Sequence, residues 1–563
     1  MRRLSATTSL AFALHAGWLS APLHAADPNT AAPPIELPPM LVEESTASAP
    51  WLYVQIGGTE FLSRCSRATT RDFVQAWLTR LQLVRVLVPD EFQARMDVPA
   101  VCVLYAQDLS QTVSAEIQRE LQASDDRANK GRSGDGNPVN IAPNMRLNDG
   151  DMHATIVYLD ESSFDGANLN ISPSHVRYML KGRVPELPAW LVEGVERTYR
   201  RSDFAAFPIT LNPLVWQSPG ESDALAVDPA RPRALLPASE LFAPEFARTL
   251  ENQHPRHAQT RAAEQELFVR WAIASGTATR EALWKFAARA AEGPVTEEVF
   301  EACFGFDFSE LRDRLSDYLP RAVGETKWID PGALPPLPVF DVQPATPNQI
   351  ARARGEWERL AIWHVQRRLP QVREPYIAQA RRTLRRAYAA GDRDPRLLAT
   401  MGLCEIDAGN PAGAREFLEP AIARGVVRPR AYYELARLRF AGLGRDAPAT
   451  KQFSFTELAP ILQPLQRAIT QAPPLPEIFT LLAETWARCE VAPNAVQFAE
   501  LETGTRLFAR RPAVAYPTAL LLARHGKKAE AAAVLDACAG YPTDETTLAA
   551  MARLRAELGG PAR

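Results

Sequence analysis

The stretch Ser172-Pro-Ser-His-Val-Arg-Tyr-Met-Leu-Lys-Gly182, followed closely by Leu187-Pro-Ala-Trp-Leu-Val-Glu-Gly-Val-Glu-Arg197, constrains the fold more than any other part of the chain. It dictates two short helices in succession. Ser172 can cap the first, Pro173 suits its first helical position, and Gly182 stops it. Leu187-Pro188 opens the second, whose Trp190, Leu191 and Val195 recur at helical spacing.

A chain of 563 residues holds two or more domains. Residues 1–25 read as a secretory signal, with Arg2 and Arg3, an apolar run Leu10–Leu19, and small residues ending at Ala25 or Ala26. The run is too short to span a bilayer, and no later stretch reaches the roughly 18 uninterrupted apolar residues a membrane span needs. The expected location is therefore exported, periplasmic or extracellular. Residues 26–49, rich in Pro, Ala and acidic side chains, read as a disordered leader. Removing Arg2 and Arg3 takes the formal charge from −3 to −5, which argues against a nucleic-acid footprint. Seven of the 63 basic residues are Lys and the rest Arg, read here as compositional bias and not as a polybasic site. The six Cys are scattered without a Cys-x-x-Cys pair. Cys65 and Cys102, at the ends of neighbouring predicted strands, are one candidate disulfide, and buried free thiols are the alternative.

Along the chain, Trp51–Ile56 and Glu60–Cys65 form strands around the Gly57-Gly58 turn. Thr70 caps a helix from Asp72 to about Val86, and Pro99–Tyr105 is a buried strand. A helix near Thr112–Ala123 precedes a surface loop, Ser124–Gly150, and a strand resumes at Met152–Leu159. The fold class is therefore α+β, helices packed on a small mixed sheet. Residues 202–260 read as irregular, with one helix around Ser239–Ala247. Helices return at Ala262–Ala274 and Glu281–Ala291, and then behind the N-caps Thr296 and Ser309.

Residues 323–345 form a Pro-rich linker, and residues 346–560 are almost wholly helical. Pro395 and Pro429 lie 34 residues apart, the tetratricopeptide period. Leu398, Gly402, Ala414, Leu418 and Ala421 fall where that repeat needs its large and small residues, Gly402 and Ala414 letting the two helices of one hairpin approach. Further hairpins are expected at Pro476–Cys489 with Asn494–Phe508, and at Ala513–His525 with Lys527–Cys538. The helices Arg352–Leu369 and Tyr376–Ala390 lead into this all-α solenoid.

The segment Leu187-Pro-x-Trp-x-x-Glu193-Gly194 resembles that of gluzincin-type, peptidase MA-like zinc peptidases, and the Gly…Phe-Gly-x-x-x-x-x-Leu…Tyr-Leu tail over 293–319 is similar to their C-terminal helices. The resemblance spans residues 50–322. It implies that Glu193 stands where those enzymes place a third zinc ligand. A preceding helix there supplies His-Glu-x-x-His, two imidazoles on one face and a general base. Here that helix offers Pro173-Ser174-His175-Val176-Arg177, so both imidazoles and the base are missing. The resemblance therefore implies a relic site of Arg177, Glu193 and His175, with Arg177 substituting for the ion by pairing with the Glu193 carboxylate. Glu196 and Arg197 read as a solvated helix face, and His175 as a surface histidine turned to another face.

Other candidates are weaker. His254 and His257 sit beside Pro255 in a loop, His153 begins a strand without a partner in sequence, and the acids Asp125-Asp126 and Asp149–Asp151 lack EF-hand spacing and read as solvated loops. Neither a Gly-x-Ser-x-Gly elbow nor a phosphate-binding Gly-rich loop occurs. The reading is an exported, non-catalytic protein with no cofactor and no metal, binding peptide or protein partners through a cleft and a tetratricopeptide-like array. Two alternatives stand beside it. One is a zinc metallopeptidase using Glu193 with His175 or His153. The other is a purely structural array whose inner face is filled by its own chain.

Overall fold

The computed structural model describes residues 50–106, 145–204, 208–216, 235–243, 255–368, 373–444, 451–539 and 543–559, with 370, 448 and 541. Five strands come first: β1 (Leu52–Ile56), β2 (Thr59–Ser63), β3 (Ala100–Ala106), β4 (Met145–Asn148) and β5 (His153–Leu159). Their order across the sheet is β4-β5-β3-β2-β1, and Gln343–Pro344, inside the expected linker, adds a sixth strand beside β1. The pairs β2–β3 and β3–β5 are parallel, whereas the hairpins β1–β2 and β4–β5 are antiparallel. The sheet is mixed, as expected. β4 lies inside the segment expected to be a loop, and its four residues were too few to show a period.

Helix α1 (Arg67–Leu87) crosses one face of the sheet. It starts earlier than expected, because Ser66 and not Thr70 caps it, accepting a bond from Thr69 N at 3.2 Å. Thr70 lies inside the helix, its hydroxyl 2.7 Å from that of Ser63. The expected helix at 112–123 and residues 124–144 lie outside the described residues. Cys65 and Cys102 are both buried and form no disulfide with each other. The β2–β3 register explains why they do not pair: Phe61, not Cys65, stands opposite Cys102.

Two helices follow β5, α2 (Pro173–Lys181) and α3 (Ala189–Arg200). The stretch read as irregular then contributes two short strands, β6 (Ser202–Asp203) and β7 (Ile209–Leu211), which join β8 (Lys327–Ile329) in a second small sheet. A helical turn at Ala238–Leu241 stands at the start of the helix expected at Ser239–Ala247, and residues 244–247 lie outside the described residues. Helices α4 (Pro255–Ala274), α5 (Thr277–Glu292), α6 (Glu297–Phe304) and α7 (Phe308–Gly324) close this half. Thr296 caps α6, but Asp307, not Ser309, caps α7, accepting from Glu310 N at 2.8 Å.

The remaining helices form hairpins: α8 (Pro347–Arg368) with α9 (Arg373–Ala389), α10 (Pro395–Asp407) with α11 (Pro411–Ala423), and α12 (Pro429–Gly444) with α13 (Phe455–Ile469). They continue through α14 (Pro476–Ala487), α15 (Ala495–Leu507), α16 (Pro512–Arg524), α17 (Lys528–Ala537) and α18 (Glu545–Glu557). Gly402 is where α10 and α11 touch: a Cβ there would lie 2.6 Å from Leu418 Cγ and 3.2 Å from Ala414 O. The first array helix has a second task. Ala353, Trp357 and Leu360 of α8 cover the other face of the sheet, against Leu62, Val101, Val103 and Ile156. The sheet is therefore sandwiched between α1–α3 and the array's own leading helix.

Candidate functional site: an arginine between two helices and an acidic turn inside the array

The helix pair is built as its sequence dictates. Ser172 Oγ accepts from Ser174 N at 3.3 Å, and Pro173 takes the first helical position. Trp190, 2% exposed, anchors α3 by stacking on Phe286 at 5.4 Å and meeting Phe242 and Phe268 edge-on. Gly194 sets how near α3 comes to α4, since a Cβ there would lie 2.5 Å from Gln265 O and 2.7 Å from Val269 Cγ2. Backbone cannot move aside as a side chain can. We expect Gly194→Ala to destabilise the protein by about 1–3 kcal/mol in urea unfolding.

This approach leaves Glu193 and Glu196 on the side of α3 that faces α2. Arg177 reaches across and bonds both, Nη2 to Glu193 Oε2 and Nε to Glu196 Oε2. Arg200 Nη2 donates to the other oxygen of Glu196 at 2.7 Å, and Arg197 Nη1 lies 3.6 Å from Glu193 Oε1. Arg197 Nε and Arg201 Nε then flank the fully buried Glu266 at 3.3 and 2.7 Å. Burial works against the Arg177 charge, but Glu196 and Glu193 outweigh it and raise its pKa. The expectation of a solvated face at Glu196 and Arg197 is corrected: Glu196 is 5% exposed and both residues are paired. Arg177 of α2 covers Glu196, and Glu266 of α4 engages Arg197; no spacing within α3 announces either partner.

His175 is also corrected from surface to interior, at 5% exposed. Two residues along a helix is about 200° of rotation, so His175 faces away from Arg177. It meets Trp77 of α1 edge-on at 5.4 Å and the ring of His153 at 5.8 Å. The two histidines thus come together under the sheet, whereas Glu193 is engaged by arginines. Burial holds both imidazoles well below their usual pKa, with Arg146 adding to the effect. Among the described residues no three His, Cys, Asp or Glu side chains are placed to hold one ion. His254 and the side chain of His257 lie outside the described residues, as do Asp125 and Asp126.

A second cluster joins the two halves. The expectation of a solvated loop at Asp149–Asp151 is corrected, because the tip of the β4–β5 hairpin packs against arginines of the array. Asp149 Oδ2 accepts from Arg359 Nη2 of α8 and, at 2.9 Å, from Arg428 Nη2 just before α12. Asp151 Oδ2 accepts from Arg430 N at 2.6 Å, and its Oδ1 lies 3.3 Å from Arg428 Nε. Behind them, Arg359 Nη1 donates to Asp407 at 3.0 Å, and Arg428 Nη1 lies 3.3 Å from Glu356. On β2, Glu60 is fully buried. It receives both Nη atoms of Arg352, one at 2.6 Å, together with Arg396 Nη2 at 2.6 Å and the Tyr53 hydroxyl. Burial alone would raise the Glu60 pKa, but Arg352 and Arg396 bring it down to about 2. Arginines of α8, α10 and the start of α12 are thus spent on the chain's own carboxylates.

No family model and no curated protein matches this chain. Among solved structures it is similar to a chain from the functional characterization of Pseudomonas aeruginosa pilF. That likeness is 19% identical over 37% of this chain and 86% of the other, at a TM-score of 0.27.

Proposed function

We propose that this is an exported, non-catalytic scaffold that binds peptide or protein partners, built from a degenerate gluzincin-like domain carried on a tetratricopeptide-like array. One observation supports it above the rest: Arg177 bonds Glu193 and Glu196 together, so the carboxylate that the resemblance makes a zinc ligand already has a cation. A guanidinium held by two carboxylates neither activates water nor polarises a carbonyl as an ion with an open position does. Export is proposed from the Arg2-Arg3 and Leu10–Leu19 leader. Sequencing the amino terminus of secreted material checks it, with cleavage expected after Ala25 or Ala26.

Metal analysis of the purified protein tests the central claim. Zinc well below stoichiometric is expected in both the natural chain and Glu193→Ala. Stoichiometric zinc that disappears in Glu193→Ala, together with peptide hydrolysis, would return the chain to the metallopeptidases. The structural alternative is favoured by a separate observation, the pairing of array arginines with Glu60, Asp149 and Asp151 of the sheet. In that reading the array holds the sheet domain in one orientation, and partners meet its remaining surfaces.

A further inference from the structure

We propose that Arg146, His153 and His175 form a carboxylate-binding site on the helix-facing side of the β4–β5 hairpin. The strand register places the first two. Arg146 pairs with Thr155 and Asn148 with His153, so Arg146 and His153 are diagonal neighbours on one face. Helix α2 lowers His175 onto the same spot, 5.8 Å from His153 between ring centroids. Tyr178, one residue on from Arg177, supplies the wall: its ring is 4.6 Å from His153 and 5.7 Å from the Arg146 guanidinium carbon.

Four nitrogens of these three residues are buried without a hydrogen-bond partner: Arg146 Nε and Nη1, His153 Nδ1 and His175 Nδ1. The other interior arginines show how unusual this is. Arg80 donates to the carbonyls of Leu169, Phe204 and Ala167, and Arg270 to those of Asn212, Leu211 and Glu325. Arg352, Arg359 and Arg428 hold carboxylates. Arg146 alone among these has neither, only the face of Tyr178. A buried charge is ordinarily paired, because leaving it unpaired costs several kcal/mol. No described residue supplies its acceptor, and an anionic one would satisfy the buried nitrogens and neutralise the guanidinium together.

The charge balance selects the class. The imidazoles are held neutral by burial and offer N–H donors, so among the described residues Arg146 is the cation of this cluster. A monoanion is neutralised by it, whereas a phosphate dianion would leave a buried charge uncompensated. Arg146 keeps partial exposure, which gives the ligand its approach.

Thermal unfolding of the full chain tests the site, in sodium acetate, sodium phosphate and sodium chloride at matched ionic strength and neutral pH. Acetate should raise Tm saturably above chloride, and Arg146→Met should abolish the difference. Arg146→Lys should weaken acetate about tenfold, the effect of losing one charge-assisted hydrogen bond. An equal response of the natural chain and Arg146→Met to all three salts would show Arg146 to be a stacking partner of Tyr178 only, and would overturn the proposal. Stabilisation by phosphate without acetate would also overturn it. Where Arg146→Met does not fold, an unchanged acetate response in Arg146→Lys decides against the site. A short peptide that competes with acetate only when its carboxyl terminus is free would identify the natural ligand as a chain end. Competition by neither form would identify it as a small acid.

Discussion

Replacing the fully buried Glu60 by Ala should cost about 3–5 kcal/mol. The substitution removes one carboxylate and strands two arginines, Arg352 at 7% side-chain exposure and Arg396 at 29%, with the hydroxyl of Tyr53. What is lost is less the attraction itself than the shelter it gave to charges that water no longer reaches. A paired change makes the distinction measurable. Glu60→Leu with Arg352→Met removes the most deeply buried pair, and should recover much of the loss because only Arg396, at 29% exposure and within reach of water, is left unmatched. The exposed pair Arg314–Glu310, about half accessible on both sides, is the control, and its removal should cost less than about 1 kcal/mol. Urea unfolding gives the energies. Limited proteolysis adds the location, since loss of Glu60 should expose the joint between the sheet and α8 before either half unfolds. Equal effects for Glu60→Ala and Glu310→Ala would mean that the joint does not depend on this carboxylate.

Elements with a period or a punctuating residue were legible in the sequence. The ends of α2 followed from Ser172, Pro173 and Gly182, and the hairpin of α10 and α11 from Gly402 and Ala414, whose small size the close helix contact requires. The faces of α2 followed from helical geometry, because residues two apart cannot look the same way. What stayed hidden has one cause. Periodicity reports which side of an element is buried by something, and says nothing of the remote residue that does the burying. Asp151 accepts from Arg430, 279 residues away, so the acid-rich tip of the β4–β5 hairpin looked like any solvated turn. Glu196 is covered by Arg177 and Arg200, on a surface that the approach of α2 makes interior. Even the excess of Arg over Lys, read as compositional bias, turns out to have a use here. A planar fork can serve two carboxylate oxygens at once, as Arg352 does at Glu60, which an ammonium cannot.

The joint should also give the protein a bell-shaped stability against pH, with its maximum near about pH 5. Two groups of carboxylates act in opposite directions. Glu60, held at about 2 against an ordinary value of 4.5, is more acidic folded than unfolded. Its contribution is fully present above pH 4.5 and fades as the pH falls toward 2, a loss of about 3 kcal/mol. Asp149 behaves likewise: burial opposes its charge, but Arg428, Arg359 and Arg430 hold it well below the usual range. Asp151 has the opposite sign. Burial, reinforced by the neighbouring Asp149, raises it to about 7 despite Arg428 and Arg430. Asp407 at about 6 and Glu264 at about 7 are raised mainly by burial too. These three bind protons more tightly folded than unfolded, so stability grows as pH falls from about 8 through their folded values. Urea midpoints between pH 2 and 9, taken with constant salt, should trace both limbs. Asp151→Asn keeps the acceptor for Arg430 N but cannot titrate, so it should flatten the neutral limb and leave the acid limb unchanged. Glu60→Gln should flatten the acid limb alone. A neutral limb of undiminished slope in Asp151→Asn would mean that the hairpin tip keeps its charge inside the array, with Arg428 compensating it in full.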